Sequence, residues 1–397
     1  MSMIVRCHWG ACHLEFPQEL SDHIFENLRN DPSFLKHCSL VCRAWLYATR
    51  THLFRRVILT PENIDPFTLL FIDSPSTIRP HVRRLELRRI ECPITRVKVS
   101  NFAHTLTHLH LRDMTFNAFI DILDIICSFP NLQSVALDRL TVETNSSGKS
   151  AHIKTKVLPS SVNSVRCRDS TFLRIFVSWL LHHQCLPKLP DFDIGPIRED
   201  SVLEIGKYLI SVGPAMKHFS FSFDFSYSAD ACGLQRQIED FDIQEAPLMA
   251  GHAPSLKAFP MVERFKALFG FDVCPELGAL TGLKSLQVDN FIHFEDCTME
   301  GGALVGGLKT IASIKALEIR EVILGVSLRR AGELDKLNIR WEFLDEMLSS
   351  TDGVYVNLVS LKFKIAGKVN IDGIASLIRT RLPGCEKRGV LEFGREK

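Results

Sequence analysis

No run of apolar residues in this 397-residue chain approaches the ~18 needed to span a bilayer. The stretch Met1 to Cys12 also lacks the apolar centre of a secretory signal. Neither a membrane nor an exported protein is expected. An excess of charge of one sign is missing too, since 47 Lys and Arg against 46 Asp and Glu leave a formal net charge of +1. That balance gives no general attraction for nucleic acid or for a membrane surface. The 12 cysteines follow no repeated spacing, and several, such as Cys42 and Cys127, lie inside apolar runs. Reduced, buried thiols in the cytoplasm or nucleus are expected rather than disulfides.

Motifs for chemistry are equally scarce. Gly148-Lys149-Ser150 ends like a phosphate-binding loop, but Glu143 stands where the first glycine belongs, so a surface loop is the better reading. The glycines from Gly301 to Gly307 have no dinucleotide spacing and suit a turn flanking a helix. Asn145-Ser146-Ser147 matches a glycosylation acceptor without the secretory route that would use it. Cys7-His8 and Cys12-His13 crowd together rather than forming two distant ligand pairs, and His108 and His110 stand beside Arg112, which disfavours a cation. Asp191 and Asp193 read as the outward face of a strand rather than as an acid and base. No nucleophile, base and orienting group come together. A non-catalytic protein with no cofactor and no metal is expected.

What the chain does have begins at Phe16 and runs to about Leu59. Leu20, Ile24, Phe25 and Leu28 recur at helical spacing after Pro17, with Glu19 and Asp22 near the positive end of that helix. Asn30-Asp31-Pro32 breaks the pattern and sets up a second short helix capped by Asp31 and anchored by Phe34 and Leu35. The run Leu40 to Tyr47 is too apolar for a freely solvated helix, and Val57-Ile58-Leu59 turns extended. Three helices in so short a stretch make a small core, which needs a neighbour or partner to cover its remaining apolar face.

In detail these residues resemble the F-box, in the form common among fungal F-box proteins. The matching elements are Phe16-Pro17-x-Glu19-Leu20, Ile24-Phe25-x-x-Leu28, Cys38-Ser39-Leu40-Val41-Cys42-Arg43-Ala44-Trp45 and Leu53-Phe54-Arg55-x-Val57. Phe16 departs from the pattern, where the family usually has Leu. The resemblance covers roughly residues 15–60 and implies docking onto the Skp-type adaptor of a cullin-RING ubiquitin ligase. It would act through Pro17, Leu20, Ile24, Leu28, Leu40, Val41, Cys42 and Trp45, with Trp45 as the anchor.

Beyond a leader over 1–14 and a connector over 61–80, residues 81–397 carry a recurring apolar-x-x-apolar-x-apolar pattern. It appears around Leu85, Leu109, Val135, Val165, Phe192, Phe219, Leu286, Leu317, Leu337 and Leu361. The first six of these positions are 24, 26, 30, 27 and 27 residues apart, within the ~20–29 residues usual for a leucine-rich repeat, or just beyond it. Helices are expected over 119–126 and 172–180, irregular helices and a distorted repeat between Ser228 and Phe271, and a last strand near Gly389 to Phe393. The position that often holds an inward Asn is Ile90, Met114, Leu140, Ser170, Phe291 or Val322, so a side-chain amide ladder is absent. The fold class is therefore α/β: a three-helix F-box followed by an irregular leucine-rich-repeat-like solenoid with a parallel sheet.

Alternation along each strand places Arg84, Glu86, Arg88, His108, His110, Arg112, Arg166 and Arg168 on the open face. The later strands add Glu318, Arg320, Lys336, Asn338 and Arg340 to the same face. Basic residues outnumber acidic ones there. Such a face is either simply solvated or recognises an acidic or phosphorylated segment of a protein target, centred on Arg84, Arg88, Arg112, Arg166 and Arg168. The expected protein is a non-enzymatic substrate receptor of an SCF-type ubiquitin ligase, with a ligase-independent F-box scaffold as the alternative.

Overall fold

The computed structural model describes residues 5–6, 15–28, 31–72, 78–90, 102–143, 156–182, 189–197, 201–223, 278–293, 311, 314–336, 339, 341–351 and 353–396. The candidate ligands Cys7, His8, Cys12 and His13, the loop from Asn145 to Ser150, the stretch from Ser228 to Phe271, the glycines Gly301 to Gly307 and the face positions Asn338 and Arg340 lie outside them. The chain divides into two compact units, Met1–Phe172 and Leu173–Lys397.

The first unit opens on a short antiparallel pair, β1 (Val5–Arg6) and β2 (Glu15–Phe16). Three helices follow, α1 (Gln18–Asn27), α2 (Pro32–Cys38) and α3 (Arg43–Leu53). The Phe34 N–H donates to the Asp31 side chain at 3.0 Å and Pro32 opens α2, so an otherwise unpartnered amide at the helix start is satisfied. Phe25, Leu35 and Cys38 form the buried centre, and Leu28, Trp45, Ala48 and Leu53 pack on it. Burial pushes the Cys38 thiol above its ordinary pKa, which leaves it an inert packing group.

A helix, α4 (Ile64–Ile72), and the strands β3 (Arg56–Leu59), β4 (Arg84–Arg88), β5 (His108–Arg112), β6 (Thr115–Phe116), β7 (Ser134–Asp138), β8 (Thr141–Val142) and β9 (Ser164–Arg168) complete this unit, with α5 (Phe119–Cys127) between β6 and β7. β3, β4, β5, β7 and β9 lie side by side, all parallel, and β6 pairs with β8 alone. Register follows the apolar positions. Leu85, Leu109, Val135 and Val165 stand in one row, and Leu87, Leu111, Leu137 and Cys167 in the next, all within 1% of full burial. Each such aliphatic side chain contributes ~1.5–3 kcal/mol by leaving water. α5 buries Ile122, Leu123 and Ile126 completely, as a helix laid on a parallel sheet must.

The ends of the strands show how stacking is achieved without an amide ladder. Arg89, Asp113, Arg139 and Asp169, each directly after a strand, adopt positive φ between 50° and 54°. In that conformation the amides of Arg89, Asp113 and Arg139 donate to Arg112, Asp138 and Arg168 carbonyls one repeat on, at 2.9–3.1 Å. The next residues, Ile90, Met114 and Leu140, are buried apolar groups. At Ser170 the hydroxyl takes part in the stacking, facing the Leu140 N–H at 3.4 Å and the Leu137 carbonyl at 3.2 Å.

The second unit contains α6 (Leu173–Leu181), β10 (Asp191–Ile197), α7 (Val202–Val212), β11 (His218–Phe223), β12 (Ser285–His293), β13 (Glu321–Ser327), α8 (Trp341–Ser349), β14 (Ser360–Ala366), α9 (Ile371–Arg381), α10 (Pro383–Arg388) and β15 (Leu391–Arg395). β10 to β15 are neighbours in chain order and all parallel. Both units are thus strand-and-helix solenoids of leucine-rich-repeat-like character.

One expected strand is corrected. The strand placed around Leu317 to Ile319 begins instead at Glu321, and Leu317 is 62% exposed. Val322 to Val326 are buried without a break, so β13 is apolar on both faces and carries no alternation to find. Of the pattern around Leu337, Leu337 itself and Asn338 lie outside the described residues, and Leu334, its first apolar position, is not in a strand. Ala331–Lys336 is a 3-10 helix and α8 starts at Trp341, because the apolar spacing there suits a helical turn equally well. Glu318, Arg320 and Lys336 consequently leave the strand face.

Gly367 has φ +99°, and a Cβ there would lie 2.2 Å from the Leu328 carbonyl oxygen, whereas at Gly389, with φ +69°, nothing lies within 4 Å. Gly389→Ala should lower stability by ~1–2 kcal/mol for its left-handed backbone alone. Gly367→Ala should lower it further, measured as urea unfolding midpoints of the two variants. Equal losses would show that the contact with Leu328 relaxes freely.

Candidate functional site

Two surfaces of the first unit carry side chains that internal packing does not explain. On the three helices, Leu20 and Ile24 stand one turn apart on α1 and are 52% and 36% exposed. In the turn between α2 and α3, Leu40 is 82% and Val41 55% exposed. Phe34 and Tyr47 are exposed as well, although neither was among the expected docking residues. Pro17 is exposed before α1, and Cys42 is half-buried at the start of α3.

The remaining expected docking residues sit elsewhere. Trp45 does not stand out as an exposed anchor. Its ring meets Phe25 edge-on with centroids 5.2 Å apart, and with Leu28 it belongs to the packing of the three-helix core. The reason is geometric: α3 must close over α1, and Trp45 is the largest side chain available to fill that contact.

The second surface is the strand face. Because register is in step, it forms three rows. The first runs Arg56, Arg84, His108, Ser134, Ser164; the second Ile58, Glu86, His110, Ala136, Arg166; the third Arg88, Arg112, Asp138, Arg168. The expected group of Arg84, Arg88, Arg112, Arg166 and Arg168 is therefore not one cluster. Arg88, Arg112 and Arg168 lie at the far ends of their strands from Arg84.

The second and third rows carry their own carboxylates, and Glu86 also serves Arg56 of the first. Glu86, expected on the open face, has a side chain only 4% exposed and accepts hydrogen bonds from Arg56 at 2.8 Å and Arg88 at 2.6 Å. His110 lies with Nδ1 3.3 Å from Glu86 and Nε2 2.7 Å from Asp138. Arg112 approaches Asp113 at 3.5 Å, and Arg139 binds the same carboxylate through two nitrogens. The hydrogen bond from Arg139 holds the Asp113 carboxyl below the usual carboxylate range.

The first row is different. It contains Arg84 and His108 and no carboxylate, and among the described residues Arg84 makes no ion pair. Around it gather His52, Arg55, His81 and Arg83, none of which was read from sequence as a binding residue, although Arg55 belongs to the Leu53-Phe54-Arg55-x-Val57 element. They come from the end of α3 and from the turn before β4, outside the alternating positions, and no local spacing links them.

No protein-family model matches the chain, and no curated protein matches it. The chain is similar to solved leucine-rich-repeat structures. One is a leucine-rich-repeat-containing protein of Legionella pneumophila, 12% identical, covering 72% of this chain and 80% of that one at a TM-score of 0.30. Another is a leucine-rich-repeat protein of Leptospira interrogans, also 12% identical, covering 82% and 94% at a TM-score of 0.19. No helix among the described residues is long and apolar enough to cross a membrane.

Burial alone would raise the pKa of Glu86. Hydrogen bonds from Arg88 and Arg56, with the charges of His110 and Arg88, outweigh burial and hold the carboxyl below its ordinary value. A carboxyl depressed in the folded state adds stability above its unfolded pKa and loses it as pH falls through the folded one. Glu86→Gln should therefore lower stability by ~1–3 kcal/mol at pH 7, the range for a buried partner removed from its hydrogen bonds. The gap between variant and native chain should close on acidification below about pH 4, where an ordinary Glu is itself protonated. Urea unfolding at several pH values measures both; a gap independent of pH would mean that the Glu86 charge is not what matters.

Proposed function

We propose that the chain is the substrate-recognition subunit of an SCF-type cullin-RING ubiquitin ligase. In this reading the three-helix unit is an F-box that docks onto a Skp-type adaptor, and the repeat sheet holds a protein target. The chain itself does no chemistry; ubiquitin transfer belongs to other subunits.

The observation that carries the proposal is the exposure of Leu20, Ile24, Leu40 and Val41 on a unit whose buried centre is only Phe25, Leu35 and Cys38. Leaving these four aliphatic groups partly in water forgoes a share, set by the exposed fraction of each, of the ~1.5–3 kcal/mol that full burial of such a side chain gives and that a partner surface would recover. They fall at positions that the resemblance assigns to the adaptor interface. The solenoid supports the second half of the reading, since stacked repeats present an extended binding surface without needing a deep pocket.

Co-purification of the full chain with a Skp-type adaptor tests this. One-to-one binding is expected, with a Leu20→Asp, Leu40→Asp double variant weakened at least about 100-fold, as for residues whose truncation costs 2 kcal/mol or more apiece. Both side chains are exposed, so the variant should keep the circular dichroism of the native chain. Trp45 is unsuitable for the test because its loss would disturb the core. A folded native chain that ignores the adaptor would overturn the ligase reading in favour of a ligase-independent scaffold.

A further inference from the structure

A cleft of about 360 Å³ opens in the first unit between the end of α3, the turn before β4 and the starts of β4 and β5. Its lining includes His52, Arg55, His81, Arg83, Arg84 and His108, and no carboxylate. In a chain of net charge +1, that is a local concentration of one sign. The other two strand rows of the first unit each have an acidic member, Glu86 and Asp138, and this cleft has none.

The guanidiniums retain donors to spend. Arg83 uses one nitrogen on the Thr105 carbonyl at 3.0 Å, and Arg55 only approaches Glu26 at 4.0 Å, while Arg84 has no ion-pair partner among the described residues. Each guanidinium offers five N–H groups in a planar fork, the geometry that suits the oxygens of a phosphate. Thr51 and Thr107 hydroxyls stand 3.4 Å and 2.9 Å from the Nδ1 atoms of His81 and His108, which orients both rings.

We propose that this cleft binds a compact dianion of the phosphate-monoester class, either a phosphorylated side chain of a protein or a small phosphate ester. The geometry suits that class rather than a long polyanion, because the cations surround one opening instead of tracking along the strands. Gathering like charges without a counter-charge costs stability, and a bound dianion relieves that repulsion.

The two histidines supply a consequence that a merely solvated patch would lack. Burial, then Arg83 and Arg50, lowers the pKa of His81; burial, then Arg84 and Arg55, lowers that of His108. A dianion among the same groups favours their charged forms, so binding takes up protons and should tighten as pH falls. Glu26, which faces His52 at 3.6 Å and Arg55 at 4.0 Å, is the carboxylate beside this group and does not line the cleft. Gln133, the contribution from the start of β7, is uncharged.

Calorimetric titration of the full chain with inorganic phosphate and with phenyl phosphate, against chloride at matched ionic strength, tests the site. Saturable one-to-one binding is expected, weakened at least tenfold by Arg84→Gln and within twofold of native in Arg174→Gln, an exposed arginine of α6 outside the cleft. Sulfate, whose charge is constant between about pH 5 and 8, should bind more tightly toward pH 5 in the native chain, and this dependence should shrink in a His81→Gln, His108→Gln variant. No binding above the chloride control, or equal loss in Arg84→Gln and Arg174→Gln, would overturn the proposal. Two further probes separate the sources. A phosphoserine peptide that binds better than phosphoserine itself, and only when phosphorylated, assigns a protein ligand; equal affinity assigns a small ester.

Discussion

A repeat made of one strand and one helix cannot satisfy its own strand, because every amide and carbonyl along a parallel strand must find its partner in the repeat before or after it. This chain meets that requirement before each strand begins. The carbonyls of Arg55, Arg83, Thr107 and Gln133 each accept two consecutive amides from the next repeat, at 2.8–3.2 Å, and Pro190, Lys217, Lys284 and Arg320 do the same in the second unit. With one carbonyl pinning two amides, register cannot slip by a residue without breaking a pair at every step. The rows of apolar side chains, and the rows of charged ones beside them, inherit their alignment from that contact.

The far ends of the strands in the first unit are held by a second backbone device, the left-handed turns at Arg89, Asp113, Arg139 and Asp169. Non-glycine residues in this region carry strain of ~1–2 kcal/mol each. Here they are offset by inter-repeat hydrogen bonds and, at Asp113 and Arg139, by a bidentate ion pair. The alternation Arg, Asp, Arg, Asp at successive turns places opposite charges one repeat apart. Stacking in this molecule is thus backbone and charge where many repeat proteins use buried side-chain amides.

That arrangement also explains the uneven electrostatics of the strand face. Glu86 and Asp138 sit where they can serve neighbours on both sides, so the middle and far rows close on themselves. The near row has no acidic position, and the elements that converge on it, α3 and the turn before β4, bring further cations. The three-helix unit matters twice over: it leaves Leu20 and Leu40 in water on one part of its surface, and through the end of α3 it contributes His52 and Arg55 to a charged cleft.

Much of this was legible in the chain. Leu85 with Leu87, Leu109 with Leu111 and Phe363 with Leu361 follow a period of two, and strands form at each because alternation gathers the apolar side chains on one face that buries. Asp31-Pro32 marks a helix start for a local reason, a side-chain acceptor at capping distance followed by a residue that needs no amide partner. β13 was misplaced because a strand buried on both faces has no period, and Leu334 lies in a helical turn because one apolar spacing fits two conformations. Trp45 shows a different limit: sequence places an aromatic on a helix, and only packing decides whether it fills a core or waits for a partner.

The sequence by itself determined most of the helices and the strands that alternate, such as β4, β5, β7 and β9, together with the spacing of their repeats, since these depend on residues within a turn or two of each other. Tertiary structure alone decided that Glu86 would be buried between two arginines, that Arg84 would be left uncompensated, and that His52, His81 and His108 would share one cleft. Those outcomes depend on which repeat lies against which. Residues 30 apart in the chain become neighbours only when the inter-repeat hydrogen bonds bring their rows into line, as Arg56 and Glu86 do.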